Sequence, residues 1–257
     1  MKNIKQALII AQLTIEENIR KKILYILLFL SFALIAFSAS FTSFDLGAQV
    51  TIMKDISLSG IALFGIVLTL SLFLNVIPKE IETKTIYPFI TQPITRGTYI
   101  TGKYIGLMSI IAVNLLILGL ELMVVMKIYS DNWNVMIINS IILNILQCGI
   151  IGGLMLLFSL FTSYPLTLSI TLFLYILGGV STPYIQYLQG RLPKVLLDFV
   201  VFIKLIIPKF DCFNIKDAVV HMNALPQGYF AWATIYGLAY VIITVMIATI
   251  LFEKKDL

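Results

Sequence analysis

The chain has 257 residues, of which 60% are of hydrophobic type and only 12% are charged, the reverse of a soluble domain, where roughly a quarter are charged. The formal net charge of +5 lies mostly beside long apolar runs, where basic residues mark cytoplasmic flanks, and this argues against nucleic acid as a partner. His221, Cys148 in an apolar stretch and Cys212 in a polar loop are too few and too scattered for a closed metal site or a disulfide pair, so no metal and no cofactor are expected.

The first 22 residues form an element of their own. Ile4, Ala7, Leu8, Ala11, Ile15 and Ile19 fall on one helical face, and Lys2, Lys5, Gln12, Glu16 and Arg20 on the other, with Ile9, Ile10 and Leu13 out of pattern. This predicts an amphipathic elbow helix on the membrane surface; a cytoplasmic extension of the first span fits the same periodicity. Glu16 and Glu17 ahead of Arg20-Lys21-Lys22 are unlike the short basic start of a cleaved signal. The first span is therefore expected to be uncleaved, with the small residues at Ser38, Ala39 and Ser40 leaving processing open.

A helix needs about 20 apolar residues to cross the hydrocarbon core, and unpaired backbone groups are too costly in lipid for other open structures. The runs place six spans at 23–41, 56–77, 105–126, 135–161, 166–183 and 229–252, giving an all-α integral membrane protein of one domain, 1–257. Thr162-Ser163-Tyr164-Pro165 is read as a tight turn between the fourth and fifth spans. Residues 184–228 form an extracytoplasmic loop, whose 14 apolar residues at 194–207 suit a re-entrant or interfacial segment better than a crossing. With the N-terminus inside, Lys and Arg divide as 11 inside to seven outside, and five of those seven lie in the 184–228 loop. Long loops count for little in this rule, so both termini are expected on the cytoplasmic side of the cytoplasmic (inner) membrane.

The cytoplasmic segment 78–104 is unlike the rest of the chain. Pro78 suits a helix start, Glu80 and Glu82 suit its positive end, Glu80 and Lys84 are spaced i,i+4, and Pro88 ends it. Gly97 to Lys103 also spells G-x-x-x-x-G-K, the beginning of a phosphate-binding loop. Tyr104 stands where the magnesium-binding Ser or Thr belongs, and no buried strand precedes Gly97, so nucleotide binding is not expected here.

Within the spans, Glu121 is the acidic candidate, sharing a helical face with Asn114. Its closeness to Lys127 leaves snorkelling or ion pairing open beside a transport role. Asn75, Asn139, Asn144 and Gln147 are suited either to hydrogen bonds between helices or to substrate contact, and Gly149 with Gly153 to close helix approach.

Glu80-Ile-Glu82, Thr85-Ile86, Pro93-Ile-Thr-Arg96 and Gly102-Lys103, in that order, together with Lys54-Asp55, Phe64-Gly65, Pro208-Lys-Phe210 and Phe213-Asn214, resemble the ABC-2-type permeases. Within them the pattern is similar to the permease components involved in multi-copper enzyme maturation, although no Met or His cluster suited to copper is present. The resemblance implies an exporter permease in which 78–104 carries a coupling helix. Glu80, Glu82, Lys84, Thr85 and Arg96 would then engage a separate ATPase subunit, in an assembly of two permease protomers and two ATPase copies embedded in lipid. The simpler reading of those charges is that they hold the loop at the lipid headgroups. A non-transporting scaffold or assembly factor would share the same loop. A membrane enzyme would need clustered acid, base and nucleophile side chains that the sequence does not supply.

Overall fold

The computed structural model describes residues 2–38, 46–74, 76, 95–130, 135–188, 207–221, 223 and 225–254. Every regular element among them is helical: α1 (Lys2–Ile19), α2 (Lys22–Ser38), α3 (Leu46–Phe73), α4 (Arg96–Ser130), α5 (Val135–Ser159), α6 (Tyr164–Leu188), a 3₁₀ turn (Phe210–Phe213), α7 (Lys216–Val220) and α8 (Tyr229–Glu253). By length and composition, α3, α4, α5 and α8 can each cross a membrane, and the α1–α2 pair, bent by 69°, makes a fifth crossing if counted as one. The apolar part of α6, Tyr164–Gly179, is shorter.

Side-chain contacts fix the helix directions. Leu34 of α2 packs on Gly60 of α3, and Ser38 and Ser57 hydroxyls meet at 3.1 Å, so these two helices run antiparallel. The α4–α5 pair is antiparallel as well: Tyr104 Oη donates to the Gly149 carbonyl at 2.8 Å, whereas Gly119 meets Ile141. Thr162 and Thr167 hydroxyls, 2.7 Å apart, tie the turn that reverses the chain into α6. Pro165 falls in the first turn of that helix, where its missing N–H costs nothing. α8 runs parallel to α5, with Gly149 facing Val241 and Gly153 facing Thr244. A Cβ on Gly153 would stand 2.5 Å from Thr244 Oγ1, so the small residues at 149 and 153 set the α5–α8 spacing. The core centres on α5, and Phe73, 1% exposed, fills the space over Gly152.

The helices depart from the sequence expectation at their ends. α4 begins at Arg96, not at 105, and its 35 residues make a rod of about 52 Å. That exceeds the ~40–45 Å of a whole bilayer, so the polar residues at both ends of the rod belong to the same helix as its apolar centre. α3 begins at Leu46, not at 56, and contains the Lys54-Asp55 pair.

α1 packs on α4 through a face of which only Ala11 belongs to the apolar stripe marked by the periodicity. Ile10, Ala11, Thr14 and Asn18 are buried against α4, while Ile4, Leu8, Ile9, Leu13 and Ile19 are exposed. The cause is the partner surface. Gly102 and Gly106 expose α4 backbone, and a Cβ there would come within 2.8 Å of the Ala7 carbonyl and 2.7 Å of the Ala11 carbonyl. Close approach selects the α1 face whose polar groups bond inward: Thr14 Oγ1 donates to the Ile10 carbonyl and Asn18 Nδ2 to the Thr14 carbonyl, both at 2.8 Å. The aliphatic face is left outward.

Candidate functional site

The two ends of the bundle each gather polar groups. At one end, α1, the first turns of α4 and the last turn of α8 converge. Lys103, 7% exposed, reaches Glu17 of α1 at 3.8 Å and lies 5.8 Å from the centre of the Tyr99 ring. Tyr99 in turn stacks on Phe252 of α8, with ring centres 6.4 Å apart. Gly97 abuts Thr249 and Glu253, and an Arg96 guanidinium nitrogen donates to the Glu253 carbonyl at 3.5 Å. Gly97 to Lys103 is therefore continuous helix, with its glycines spent on helix packing and its lysine turned to α1. A phosphate cradle needs loop amides at this position, and the geometry has none.

At the opposite end a cavity of about 500 Å³ opens between α3, α5, α6 and the 207–216 segment. Its two main walls differ. α3 contributes Leu58, Ser59, Ala62, Leu63, Ile66, Val67 and Leu70, apolar except for Ser59 at one end, whereas α5 contributes Ser140, Asn144 and Gln147. These three are 5%, 7% and 5% exposed, respectively. Gln147 is hydrogen-bonded to the Tyr175 side chain of α6. Asp211, Asn214 and Lys216 line the cavity from the 207–216 segment.

Aromatic packing seats that segment. Phe210 packs against Tyr175, ring centres 5.2 Å apart, and Phe213 against Tyr236 at 6.1 Å. Tyr229 Oη donates to the Cys212 carbonyl at 3.0 Å, and the Lys209 N–H donates to Tyr236 Oη at 3.0 Å. Lys216 Nζ then ties the segment to α3, with Asp55 Oδ1 at 2.9 Å and Ser59 Oγ at 3.1 Å. Burial pushes the Cys212 thiol up to about 11.

The residues singled out from sequence separate into groups. Asn144 and Gln147 share the cavity wall. Asn139 is half-buried on the same helix but outside that lining. Asn114 is buried beside a small hollow between α2, α3 and α4, and its Nδ2 donates to the Ile110 carbonyl at 2.9 Å within its own helix. Glu121 is half-buried, and its Oε2 is enclosed without a hydrogen-bond partner. Arg96 opens α4. Asn75, Glu80, Glu82, Lys84 and Thr85 lie outside the described residues, as does the apolar stretch through 206. His221 is exposed at the end of α7, and among the described residues no three or more His, Cys, Asp or Glu side chains gather as metal ligands.

Sequence reading assigned no role to the Lys103–Glu17 pair, to Tyr175 or to the Asp55–Lys216 tether. A signal existed for the tether alone: a Lys-Asp pair next to an apolar run calls for a partner, and the distant loop supplies it.

A comparison with curated proteins finds no match. Residues 8–257 match the family described as ABC-2 family transporter protein, which takes in α2 through α8 and most of α1. This multi-helix chain therefore belongs to the ABC-2 transporter family and is a membrane permease of an ABC system.

Proposed function

We propose that the chain is the membrane-spanning subunit of an ATP-driven exporter in the cytoplasmic membrane. It crosses the bilayer six times through α2–α6 and α8, with both termini cytoplasmic. In this reading α1 is the elbow helix, and the segment from 78 to the start of α4 carries the coupling helix. Glu80, Glu82, Lys84, Thr85 and Arg96 engage an ATPase subunit, and two protomers work with two ATPases.

The observation that carries this reading is the convergence of α1, the α4 start and the α8 end where the 77–94 segment rejoins the described fold. A push on that segment at Arg96 meets a helix tied to both neighbours. A 35-residue rod transmits the displacement to the far end of the bundle without an intervening joint. Alternating helix directions and the 11-to-seven division of basic residues support the same orientation.

The test is reconstitution of the chain with its ATPase in liposomes. Glu82→Lys is expected to leave the complex assembled and ATP hydrolysis measurable while ATP-driven transport falls to background. Transport unchanged in that variant contradicts the coupling role.

A further inference from the structure

α8 is tied to other elements at both of its ends. Where α1, α4 and α8 converge, Phe252, 1% exposed, stacks on Tyr99 of α4, Thr249 and Glu253 close over Gly97, and the Glu253 carbonyl accepts from Arg96. About 34 Å away along the same unbroken helix, Tyr229 Oη donates to the Cys212 carbonyl and Tyr236 Oη accepts from the Lys209 N–H. Phe213 lies over Gly237, where a Cβ would stand 2.9 Å from its ring. The 207–216 segment seated there reaches α3 through Lys216, which bonds Asp55 and Ser59. Ser59 and Lys216 both line the cavity.

Between these ends α8 is held to α5 by packing. Val241 and Thr244 rest on Gly149 and Gly153, and the Thr234, Thr244 and Thr249 hydroxyls are spent on carbonyls of α8 itself. Helices packed in this way shift by small sliding movements, and the directional contacts at the two ends travel with the helix.

We propose that α8 links the two ends of the bundle: a displacement of the α4 start shifts α8 along α5, and the shift draws the 207–216 segment away from α3 by breaking the Lys216 contact. The lysine is the breaking point because the seat on α8 is aromatic and buried, whereas the Asp55 side chain is 51% exposed, and ion pairs in contact with water are weak. The source of the push is the coupling proposed above, on which this linkage rests.

Continuity of contacts is not coupling, so the test is a double-substitution cycle on the full-length chain alone, in nanodiscs. The readout is the rate of thiol labelling at Cys212, while Cys148, fully buried on α5, reports any loss of the core. Phe252→Ala is expected to raise the Cys212 rate at least about threefold, within the range of coupling between distant sites, with Cys148 still protected. Lys216→Ala raises it as well, and the double variant is no faster than Lys216→Ala, because the contact that Phe252 protects is already gone. Independent sites so far apart would instead multiply their factors. Ile10→Ala, a comparable loss on the α1 side of the same joint, is expected to leave the Cys212 rate unchanged.

An unchanged Cys212 rate in Phe252→Ala, equal acceleration by Ile10→Ala, or multiplying factors in the double variant overturn the linkage. If Phe252→Ala exposes Cys148, Phe252→Leu, which keeps bulk and removes the ring stacking, decides by the same criteria. No ATPase is present in these measurements. A null result here alongside transport abolished by Glu82→Lys therefore removes the linkage and leaves the coupling assignment intact.

Discussion

Where α1 meets α4, two glycines bring backbone to within contact of backbone, the buried Lys103 is paired with Glu17, and aromatic rings seal the joint to α8. Where α3 faces α5 at the other end, the helices stand apart around a cavity with a polar α5 wall, and a short segment is held across the opening by two aromatic contacts, two hydrogen bonds and one lysine. The same helix bundle supports both. The difference lies in side-chain size at the interfaces: small residues close one end, and the aliphatic and amide walls hold the other open. A rigid end suits the receipt of force, as the proposed coupling requires, whereas the hollow end leaves open space between its helices.

The largest effect is expected from filling the tight joint. Gly106→Leu places a side chain where the Ala11 carbonyl and Thr14 already lie, and overpacking of this kind costs about 3 kcal/mol. It should release α1, read as a lower Tm and as rapid protease cleavage near Arg20 and Lys21. Insertion of α1 unchanged by this substitution would remove the rigid end from the comparison.

At the hollow end the seat of the 207–216 segment can be timed through Cys212. Its thiol is pushed up to about 11 from an ordinary value of 9.0, and the thiolate is the reactive form. Labelling at pH 8 should run roughly a hundredfold slower than for an open cysteine, and rise about tenfold per pH unit until the pH passes the thiol value. Rates that level off by pH 9 would mean that the segment is not seated.

Lys216→Ala removes the tether to Asp55 and Ser59. Its effect on stability is expected to be under ~1 kcal/mol, because Asp55 is about half exposed (51%), yet Cys212 labelling should accelerate several-fold as the segment opens. The smallest effect belongs to Glu17→Gln. At 3.8 Å, with the Glu17 side chain 59% exposed, the pair with Lys103 contributes about 0.5 kcal/mol or less, and high salt should erase the difference.

Hydropathy made the helices legible because burying an apolar run in lipid leaves the backbone no alternative to helix. The turn at Thr162 and Ser163, the α5 polar stripe and the close approach at Gly149 and Gly153 were all readable on that basis. Helix ends were not, since α4 continues through polar residues from Arg96 to Lys103 that are helical because they pack against α1 and α8. Which α1 residues meet α4 was not readable, for a related reason. Periodicity ranks faces by hydrophobicity, but Gly102 and Gly106 lie nearly a hundred residues away and select the face that fits a bare backbone. In the cavity, Asn144 and Gln147 were legible as polar residues in an apolar helix, whereas Tyr175 and Lys216 join them only through tertiary packing.

The most direct test of the central claim is site-directed crosslinking at position 82 in sealed vesicles. Glu82→Cys is predicted to crosslink to the partner ATPase from the cytoplasmic side, and ATP binding to the ATPase should change the yield. Labelling of Glu82→Cys from the outer side, or crosslinking to lipid alone with the ATPase assembled, would contradict it.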